Sequence, residues 1–336
     1  MINLSDLHSA QSRLKGVTVH TNLIEFPENM WGRPPQPALS GVEGAVRRGT
    51  RLLLKPENQQ PIGAFKLRGA YNKIASLSEA ERNRGVISYS SGNHAQGVAY
   101  AARALNVKSV IVMPNNAPLI KREATAKLGA EIVLVGPGSD ERKTKAEELA
   151  AHHGYAIVPP YNDEKIIAGQ GTIGLEIFED LPAVETVLSP VGGGGLISGV
   201  AAAIKLSNPK VKVIGVEPEL AADAQASLRQ GKIAQFPAEQ VSRTIADGLR
   251  TQSIGSINFE HIRAYVDDII TVTEDEIRQA MKYLSANPAT VAEPSGAVAT
   301  AGFIFHAQEL PQTKLNVAII SGGNIEPEML QELSRS

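Results

Sequence analysis

The sequence has 336 residues, of which 43% are hydrophobic and 20% are charged, and its formal net charge is -2. A chain of this length can bury a substantial core and has room for two domains. The near-neutral charge gives no general attraction to nucleic acid or to anionic membranes, so neither is expected as a partner. Cysteine is absent, which excludes disulfides, cysteine nucleophiles and thiolate metal sites.

The amino terminus, MINLSDLHSAQSRLKG, is polar and of mixed charge. It lacks the apolar centre of a signal peptide, and no stretch of the chain has the apolar length of a membrane span. We therefore expect a cytoplasmic protein.

Short β-branched runs alternate with alanine-rich stretches along most of the chain. The runs predict strands and the stretches predict helices. In chain order these are strand 85–90, helix 94–105, strand 109–114, helix 118–129, strand 131–136, strand 186–191, helix 196–207, strand 212–218 and a last strand that leads into a loop over 315–324. This alternation predicts an α/β fold with mainly parallel strands and helices on both faces of the sheet.

Residues 27–50 interrupt this alternation. The segment is rich in proline and glycine, has few core candidates and holds the only tryptophan of the chain. We interpret it as a surface insertion, with a lid or an interface as the alternative.

The predicted strand at 85–90 is followed by the loop SSGNHAQG, residues 90–97. Its small residues and the helix start behind it offer free backbone N–H groups and a positive dipole end, which suit a carboxylate. The alternative is simple helix capping by Ser91 or Asn93.

The loop PVGGGGLISG, residues 190–199, places four successive glycines between a strand and a helix. Bare backbone N–H groups at a helix start can wrap a phosphate. No Gly-Lys-Ser/Thr follows, so this is not a P-loop, and the glycine spacing differs from that of a dinucleotide site. The alternative is a flexible linker.

A lysine and a serine complete the candidate site. Lys66 stands between Phe65 and Leu67, and Ser321 opens the loop SGGN after an apolar run. Burial lowers the pKa of a lysine and makes its amine nucleophilic. A reactive lysine beside a phosphate loop, without a cysteine or metal triad, indicates Schiff-base chemistry on pyridoxal phosphate.

The motifs PIGAFKLRGA, SSGNHAQG, PVGGGGLISG and SGGN, in this order and spacing, resemble the serine/threonine dehydratase and serine racemase family of fold-type II pyridoxal phosphate enzymes. The tryptophan synthase β and cysteine synthase branches share that fold. The resemblance implies two domains with the active site in the cleft between them. Their expected ranges are 1–84 with 161–336 for the large domain and 85–160 for the small one.

The resemblance also implies roles for individual residues. Lys66 would bond the cofactor and move protons at the substrate α-carbon, and Ser91 would be the second acid or base on the opposite face. Cofactor contacts are expected from Phe65, Asn93, Gly192, Gly193, Gly194, Gly195, Leu196 and Ser321. The substrate carboxylate would lie on the backbone of Ser90, Ser91, Gly92, Asn93 and His94. A serine at the ring nitrogen makes the ring a weak electron sink, which favours elimination over transamination.

The stretch GVEPELAADAQ, residues 215–225, resembles the divalent-cation site of the racemase branch. Glu217, the carbonyl of Ala221 and Asp223 fall at the matching positions. Such oxygen ligands suit Mg²⁺, Ca²⁺ or Mn²⁺ in a structural role. The alternative is a pair of solvated carboxylates.

The resemblance implies a lyase of amino-acid catabolism, active as a homodimer, which eliminates water from a β-hydroxy amino acid such as L-threonine or L-serine. The products would be a 2-oxo acid and ammonia. Racemisation is the second reading, and 3-hydroxyaspartate and phenylserine are further candidate substrates. A phosphometabolite-binding protein without covalent chemistry is the non-enzyme alternative, but it leaves Lys66 unexplained.

Overall fold

The computed structural model describes residues 1–31, 49–90, 92–117, 119–136 and 138–335. Most of the predicted insertion at 27–50 lies outside these residues. Within the described ranges the chain forms fifteen α-helices: α1 (Leu4–Leu14), α2 (Glu28–Trp31), α3 (Lys66–Ala75), α4 (Glu79–Arg84), α5 (Asn93–Ala104), α6 (Leu119–Lys127), α7 (Ser139–His153), α8 (Glu164–Asp180), α9 (Gly195–Ser207), α10 (Asp223–Gln230), α11 (Ala238–Val241), α12 (Ser256–Tyr265), α13 (Glu274–Ser285), α14 (Pro294–Phe305) and α15 (Pro327–Arg335).

The strands form two sheets. In chain order they are β1 (Ile24–Phe26), β2 (Arg51–Pro56), β3 (Val86–Tyr89), β4 (Ser109–Pro114), β5 (Glu131–Val135), β6 (Ala156–Ile157), β7 (Thr186–Pro190), β8 (Lys212–Pro218), β9 (Asp268–Val272) and β10 (Leu315–Ile320). The larger sheet has the order β1-β2-β10-β7-β8-β9, and the smaller has the order β5-β4-β3-β6.

All strand pairs are parallel except β1 with β2. Val317 in β10 is in register with Leu53 in β2 on one side and with Val187 in β7 on the other. The side chains on both faces of these central strands are buried, because β7 and the last five residues of β2 and β10 have no exposed position. Burial of both faces explains the continuous apolar runs in the sequence. The predicted α/β architecture with mainly parallel sheets is therefore confirmed.

The element positions predicted from the alternating pattern agree with the structure to within a few residues at each end. The pattern does not identify β1, β2, β6 or β9. The smaller sheet draws its strands from within the predicted small domain, and the larger sheet draws its strands from both flanking regions. The domain boundaries themselves stay a prediction.

Glycines let α8 and α9 approach each other closely where they pack against the larger sheet. A side-chain Cβ at Gly199 of α9 would lie 2.3 Å from the carbonyl oxygen of Ile167 in α8, and one at Gly174 of α8 would lie 2.8 Å from the Cβ of Ala203. Backbones in such contact hold the start of α9, and the glycine loop before it, in a fixed place. No helix in the described part of the chain is both long enough and apolar enough to cross a membrane.

A histidine links α13 to the segment after α14. The Nε2 atom of His306 lies 3.1 Å from the Glu276 carboxylate, and its Nδ1 atom lies 2.5 Å from that of Glu309. The hydrogen bond to Glu276, followed by that to Glu309, raises the pKa of His306 to about 9 despite its partial burial. Folding therefore favours the protonated imidazole.

This raised pKa predicts a pH-dependent contribution to stability. The contribution is complete below about pH 6.5, the pKa of an unfolded histidine, and is lost as the pH rises through about 9. The free energy of unfolding lost in His306→Gln should thus be larger at pH 6 than at pH 9.5, as measured by denaturant unfolding. The exposed His8 provides a control, and a loss that does not vary with pH would contradict the assignment.

Candidate active site

Lys66 is the first residue of α3, beside the loop that follows β10. An isolated bridge pairs Ala64 with Gly322, and the backbone N–H of Phe65 donates to the carbonyl of Ser321 at 3.1 Å. Two predicted site residues far apart in sequence, Lys66 and Ser321, are thereby brought together.

The amine of Lys66 has a backbone carbonyl and an aromatic ring as neighbours. Its Nζ atom donates a hydrogen bond of 2.9 Å to the carbonyl of Pro160 and lies 5.1 Å from the ring centre of Phe65. Protein surrounds the side chain although part of it stays exposed, and this burial lowers the pKa of Lys66 to about 8. Among the described residues no carboxylate forms an ion pair with it. A large neutral fraction near pH 8 makes the amine a nucleophile.

The glycine loop joins β7 to α9 and has no room for side chains. A Cβ at Gly193 would lie 2.2 Å from Cδ1 of Tyr161, and one at Gly195 would lie 2.9 Å from the Cβ of the same tyrosine. Gly194 has a φ of 91°, which favours glycine. Because α9 begins at Gly195, the first N–H groups of that helix have no acceptor within it. The loop is therefore a backbone cradle suited to a phosphate.

Asn93 begins α5 and contacts two residues from outside the smaller sheet region. Its side-chain oxygen accepts a hydrogen bond of 2.8 Å from Asn324, and its amide nitrogen donates at 2.6 Å to Glu293. A Cβ at Gly322 would lie 2.4 Å from the Glu293 carboxylate and 3.2 Å from the Asn93 amide nitrogen. The Asn93 amide is thus held against the loop that carries Ser321.

Glu293 and Asn324 were not identified as site residues from the sequence. Burial raises the pKa of Glu293 to about 8, with a smaller contribution from Asp247. Glu293 is the N-cap residue before Pro294, but its side chain makes no capping hydrogen bond and contacts Asn93 instead. Asn324 is the last residue of the SGGN motif, so the sequence does contain a signal that could identify it as a site residue.

Three other predicted cofactor or substrate residues have side chains that contact nearby backbone groups. Ser321 is 4% exposed, and its hydroxyl donates at 3.3 Å to the carbonyl of Ser295. The Ser90 hydroxyl accepts from the N–H of Gly92 at 3.3 Å. His94 is buried with its Nε2 atom 3.0 Å from the carbonyl of Val158, and burial lowers its pKa to about 3. A neutral imidazole that faces a backbone carbonyl is structural.

Ser91, predicted as a second acid or base, lies outside the described residues. Leu196 is buried in the first turn of α9, and Gly192 packs against the backbone of Leu249, to which an added Cβ would come within 3.1 Å. The residue roles implied by the resemblance stay predictions.

The predicted cation ligands are brought together at the carboxyl end of β8. Glu217, Ala221 and Asp223 are all 0% exposed. Glu217 accepts hydrogen bonds from the N–H groups of Ala224 and Gln225 at 3.0 Å and 2.7 Å. Neither carboxylate oxygen of Asp223 has a hydrogen bond of ordinary length and angle to the described residues, although the Thr251 hydroxyl and the Ile254 N–H lie near enough to lower its pKa. The solvated-carboxylate alternative is inconsistent with this burial.

Burial raises the pKa of Asp223 to about 7, and burial together with repulsion from Asp223 raises that of Glu217 well above its usual range. Two buried carboxylates that repel each other are unfavourable when both are ionised, unless a positive charge lies beside them. No cluster of three or more His, Cys, Asp or Glu side chains suited to a metal occurs in the described part of the chain. Any cation here would therefore need the carbonyl or water as further ligands.

The chain belongs to the pyridoxal-phosphate dependent enzyme family, whose model matches residues 37–322. The glycine loop at 192–195, which packs too closely on its neighbours to carry side chains, and the lowered pKa of Lys66 fit that cofactor. The family resemblance drawn from the four motifs is thus confirmed.

Two of the similar proteins are ammonia-lyases. The L-threonine ammonia-lyase of Thermotoga maritima is 45% identical over 99% of this chain and 78% of its own length. The L-threo-3-hydroxyaspartate ammonia-lyase of Saccharomyces cerevisiae is 42% identical over 83% of this chain and 85% of its own. These relatives confirm the prediction of a pyridoxal phosphate-dependent lyase.

Solved structures agree with this assignment. The processed form of threonine deaminase isoform 2 from Solanum lycopersicum has a TM-score of 0.86 and 36% identity, and the match covers 99% of this chain and 92% of that one. A maize serine racemase has a TM-score of 0.88 and 32% identity, and the match covers 99% and 97%. The predicted fold-type II architecture is confirmed by these neighbours.

The contact between Tyr161 and the glycine loop gives a testable prediction. In Gly193→Ala the new methyl group would collide with the Tyr161 ring, and overpacking of this kind costs about 1–3 kcal/mol. We expect the dissociation constant of pyridoxal phosphate, measured by absorbance titration, to rise about 10-fold.

A double variant identifies the cause of that loss. Gly193→Ala should cost little affinity in a Tyr161→Ala background, because the ring is then absent. Gly138→Ala is the control, since its φ is -64° and its added Cβ would make only ordinary contacts. An equal loss with and without the Tyr161 ring would refute the steric explanation.

Proposed function

We propose that this protein is a pyridoxal phosphate-dependent ammonia-lyase for β-hydroxy amino acids of the L-threonine or L-serine type. It eliminates water from the substrate, and hydrolysis of the product gives a 2-oxo acid and ammonia. The observation that carries the proposal is the half-buried Lys66 amine, which has no carboxylate partner among the described residues and lies among strand-end loops suited to anions. The relative named L-threonine ammonia-lyase supports the substrate class.

When bound, pyridoxal phosphate supplies an aldehyde that bonds amines and a ring that accepts electrons from the substrate α-carbon. The N–H groups of residues 192–196 would hold its phosphate, Asn93 would donate to its ring oxygen, Ser321 would meet its ring nitrogen and Phe65 would lie beside the ring. The Lys66 amine would hold the aldehyde and, once the substrate amine has displaced it, would accept the proton from the substrate α-carbon. A pKa of about 8 suits a proton acceptor that works near neutral pH.

The substrate carboxylate would lie on the backbone of residues 90–94. Helix α5 begins at Asn93, so the first N–H groups of that helix have no acceptor within it and carry the positive dipole end. The carboxylate is the common part of all candidate substrates, so this contact would fix the α-carbon near Lys66 whichever side chain follows.

Racemisation is the second candidate activity. It needs a proton donor on the face opposite Lys66, and Ser91 takes this role by the resemblance. The likeness to a maize serine racemase over nearly the whole chain supports it. A hydroxyaspartate substrate is supported by the yeast relative of that name, and phenylserine shares the same β-hydroxyl.

The same proposal includes a small-molecule substrate as the partner and a cytoplasmic homodimer as the working form. The near-neutral net charge supports a role without nucleic acid. Closed dimers are the commonest symmetric assemblies. We also retain the predicted two-domain division, with the cleft between residues 85–160 and the remainder of the chain.

A substrate panel tests the proposed activity. The holoenzyme would be offered L-threonine, L-serine, L-threo-3-hydroxyaspartate and phenylserine, with oxo acid, ammonia and enantiomer ratio measured together. We expect ammonia and oxo acid in equal amounts from at least one of them. Enantiomer exchange without ammonia would favour the racemase, and neither product from any substrate would remove both readings.

Borohydride labelling separates the enzyme from a phosphate-binding protein. Reduction should fix the cofactor covalently on Lys66, as detected by peptide mass, and Lys66→Ala should abolish the label. Lys73→Ala is the control, because Lys73 lies on the same helix but is paired with Asp163 at 2.6 Å. A colourless protein that borohydride does not label would support the non-enzyme alternative.

We further propose that Glu217, Asp223 and the Ala221 carbonyl hold a divalent cation. The support is the burial of both carboxylates without a cationic side chain against them among the described residues, and the raised pKa of Asp223. A cation would offset the repulsion that opposes double ionisation. Without it, the pair should destabilise the fold as the pH rises through about 7.

Addition of Mg²⁺, Ca²⁺ or Mn²⁺ at pH 8 should therefore raise the thermal midpoint. The stabilisation is about 2.7 kcal/mol at a cation concentration 100 times Kd. Asp223→Asn should lose this response, while Glu219→Gln, in the exposed part of the same segment, should keep it. Equal stabilisation of both variants, or none of the wild type, would contradict the site.

A further inference from the structure

Arg68 is a buried arginine two residues beyond Lys66, in the first turn of α3. Only 1% of it is exposed. Residues two apart on a helix point roughly 200° away from each other. The Arg68 side chain therefore leaves the helix on the side away from Lys66 and enters the interior, whereas Lys66 points toward the Pro160 carbonyl.

The guanidinium of Arg68 is fully engaged by two carboxylates. Its Nε and Nη2 atoms both donate to Glu57 at 2.8 Å, and its Nη1 and Nη2 atoms donate to Glu176 at 2.6 Å and 2.9 Å. Thr172 and the carbonyl of Val19 accept further hydrogen bonds at 3.1 Å and 3.2 Å. Two bidentate pairs fix a guanidinium in both position and plane.

A second buried cation, Lys55, joins Arg68 against the two carboxylates. Lys55, which is 0% exposed, contacts Glu176 at 2.7 Å and donates to the Thr21 carbonyl at 2.6 Å. Two cations therefore face Glu57 and Glu176, with Asp180 at 3.8 Å from the Lys55 amine. The pKa of Lys66 is lowered by its own burial and not by these charges.

The cluster ties the start of α3 to four other parts of the fold: the amino-terminal segment at residues 19–21, the end of β2, the short 3-10 helix at Glu57–Gln59, and α8. The backbones of α3 and α8 touch here, because a Cβ at Gly169 would lie 2.6 Å from the carbonyl oxygen of Arg68. From the other side, a Cβ at Gly97 of α5 would lie 3.2 Å from the Lys66 carbonyl.

We propose that Arg68 is a positioning residue for Lys66: its paired guanidinium anchors the first turn of α3 so that the amine stays on the Pro160 carbonyl and remains half-buried. The inference rests on the proposed role of Lys66 as the reactive amine. It assigns no contact with substrate or cofactor to Arg68. If the first turn of α3 relaxed, water would reach Lys66 and its pKa would return toward that of an ordinary lysine.

The test measures how the reactivity of Lys66 depends on pH. It uses this whole chain after any bound aldehyde has been removed. Short pulses of pyridoxal with cyanoborohydride, from pH 6 to 10.5, would label lysines, and peptide mass spectrometry would quantify Lys66. We expect a midpoint of about 8 in the wild type. In Arg68→Gln the midpoint should rise by about one pH unit or more, which lowers the rate at pH 8 roughly five-fold.

Two further variants make the result specific. Arg68→Lys keeps the charge but cannot form bidentate pairs, so its midpoint should also rise. Asp267→Asn is the stability control, because Asp267 pairs with Lys205 at 2.6 Å and Lys212 at 2.9 Å near the start of β8 and β9. It should lower the thermal midpoint and leave the Lys66 titration at about 8.

Midpoints near 8 in both Arg68 variants would overturn the proposal, even if both variants melt earlier. If Arg68→Gln and Arg68→Lys do not fold, Glu57→Asp decides: it keeps every charge but shortens one carboxylate, and it must raise the midpoint for the proposal to stand. The measurement involves no amino-acid substrate, so its failure is distinct from failure to release ammonia in the substrate panel.

Discussion

The burial of the Lys66 amine without a carboxylate partner is the constraint on which the rest of the site depends. Lys55 shows the alternative within the same fold. That lysine is wholly buried, but Glu176 at 2.7 Å matches its charge. Among the residues that the structure describes, the Lys66 amine has a hydrogen bond to the Pro160 carbonyl and no ion pair, and its pKa falls to about 8. A carboxylate in place of that carbonyl would hold the ammonium charged and remove the nucleophile.

The parallel sheets bring several loops to the neighbourhood of this amine. Loops that follow parallel strands meet at one edge of a sheet, so β7 and β10 deliver the glycine cradle and Ser321 to the same place. The bridge between Ala64 and Gly322 adds the start of α3 to that edge. Asn93, from the smaller sheet region, is then held by Glu293 and Asn324. Sequence distance is thus unrelated to distance in the site.

This geometry explains what the sequence could predict. Glycine runs, small-residue loops and β-branched runs are local signals, so they indicated the cradle, the Asn93 loop and most strands. The partners of Lys66 and Asn93 were not predictable in this way. Pro160 acts through a backbone carbonyl, which every residue has, and Glu293 is joined to Asn93 only by the tertiary fold. Strands such as β6, with two residues, are too short for a periodic pattern.

Buried charges in this fold fall into two groups that differ in balance. Arg68 and Lys55 are neutralised by Glu57 and Glu176, so that cluster needs nothing further from outside the protein. The carboxyl groups of Glu217, Asp223 and Glu293 are buried with raised pKa values, and Lys66 is buried with a lowered one. Desolvated ionisable groups without a matching charge cost stability.

A fold keeps such groups where a ligand completes them. The balanced cluster therefore belongs to the framework, and the unbalanced groups are candidates for binding positions. This difference supports our proposals of a reactive amine at Lys66 and of a separate cation site at the end of β8. The framework cluster, although it binds nothing, lies directly behind the first of them, so its rigidity is part of how the amine stays reactive.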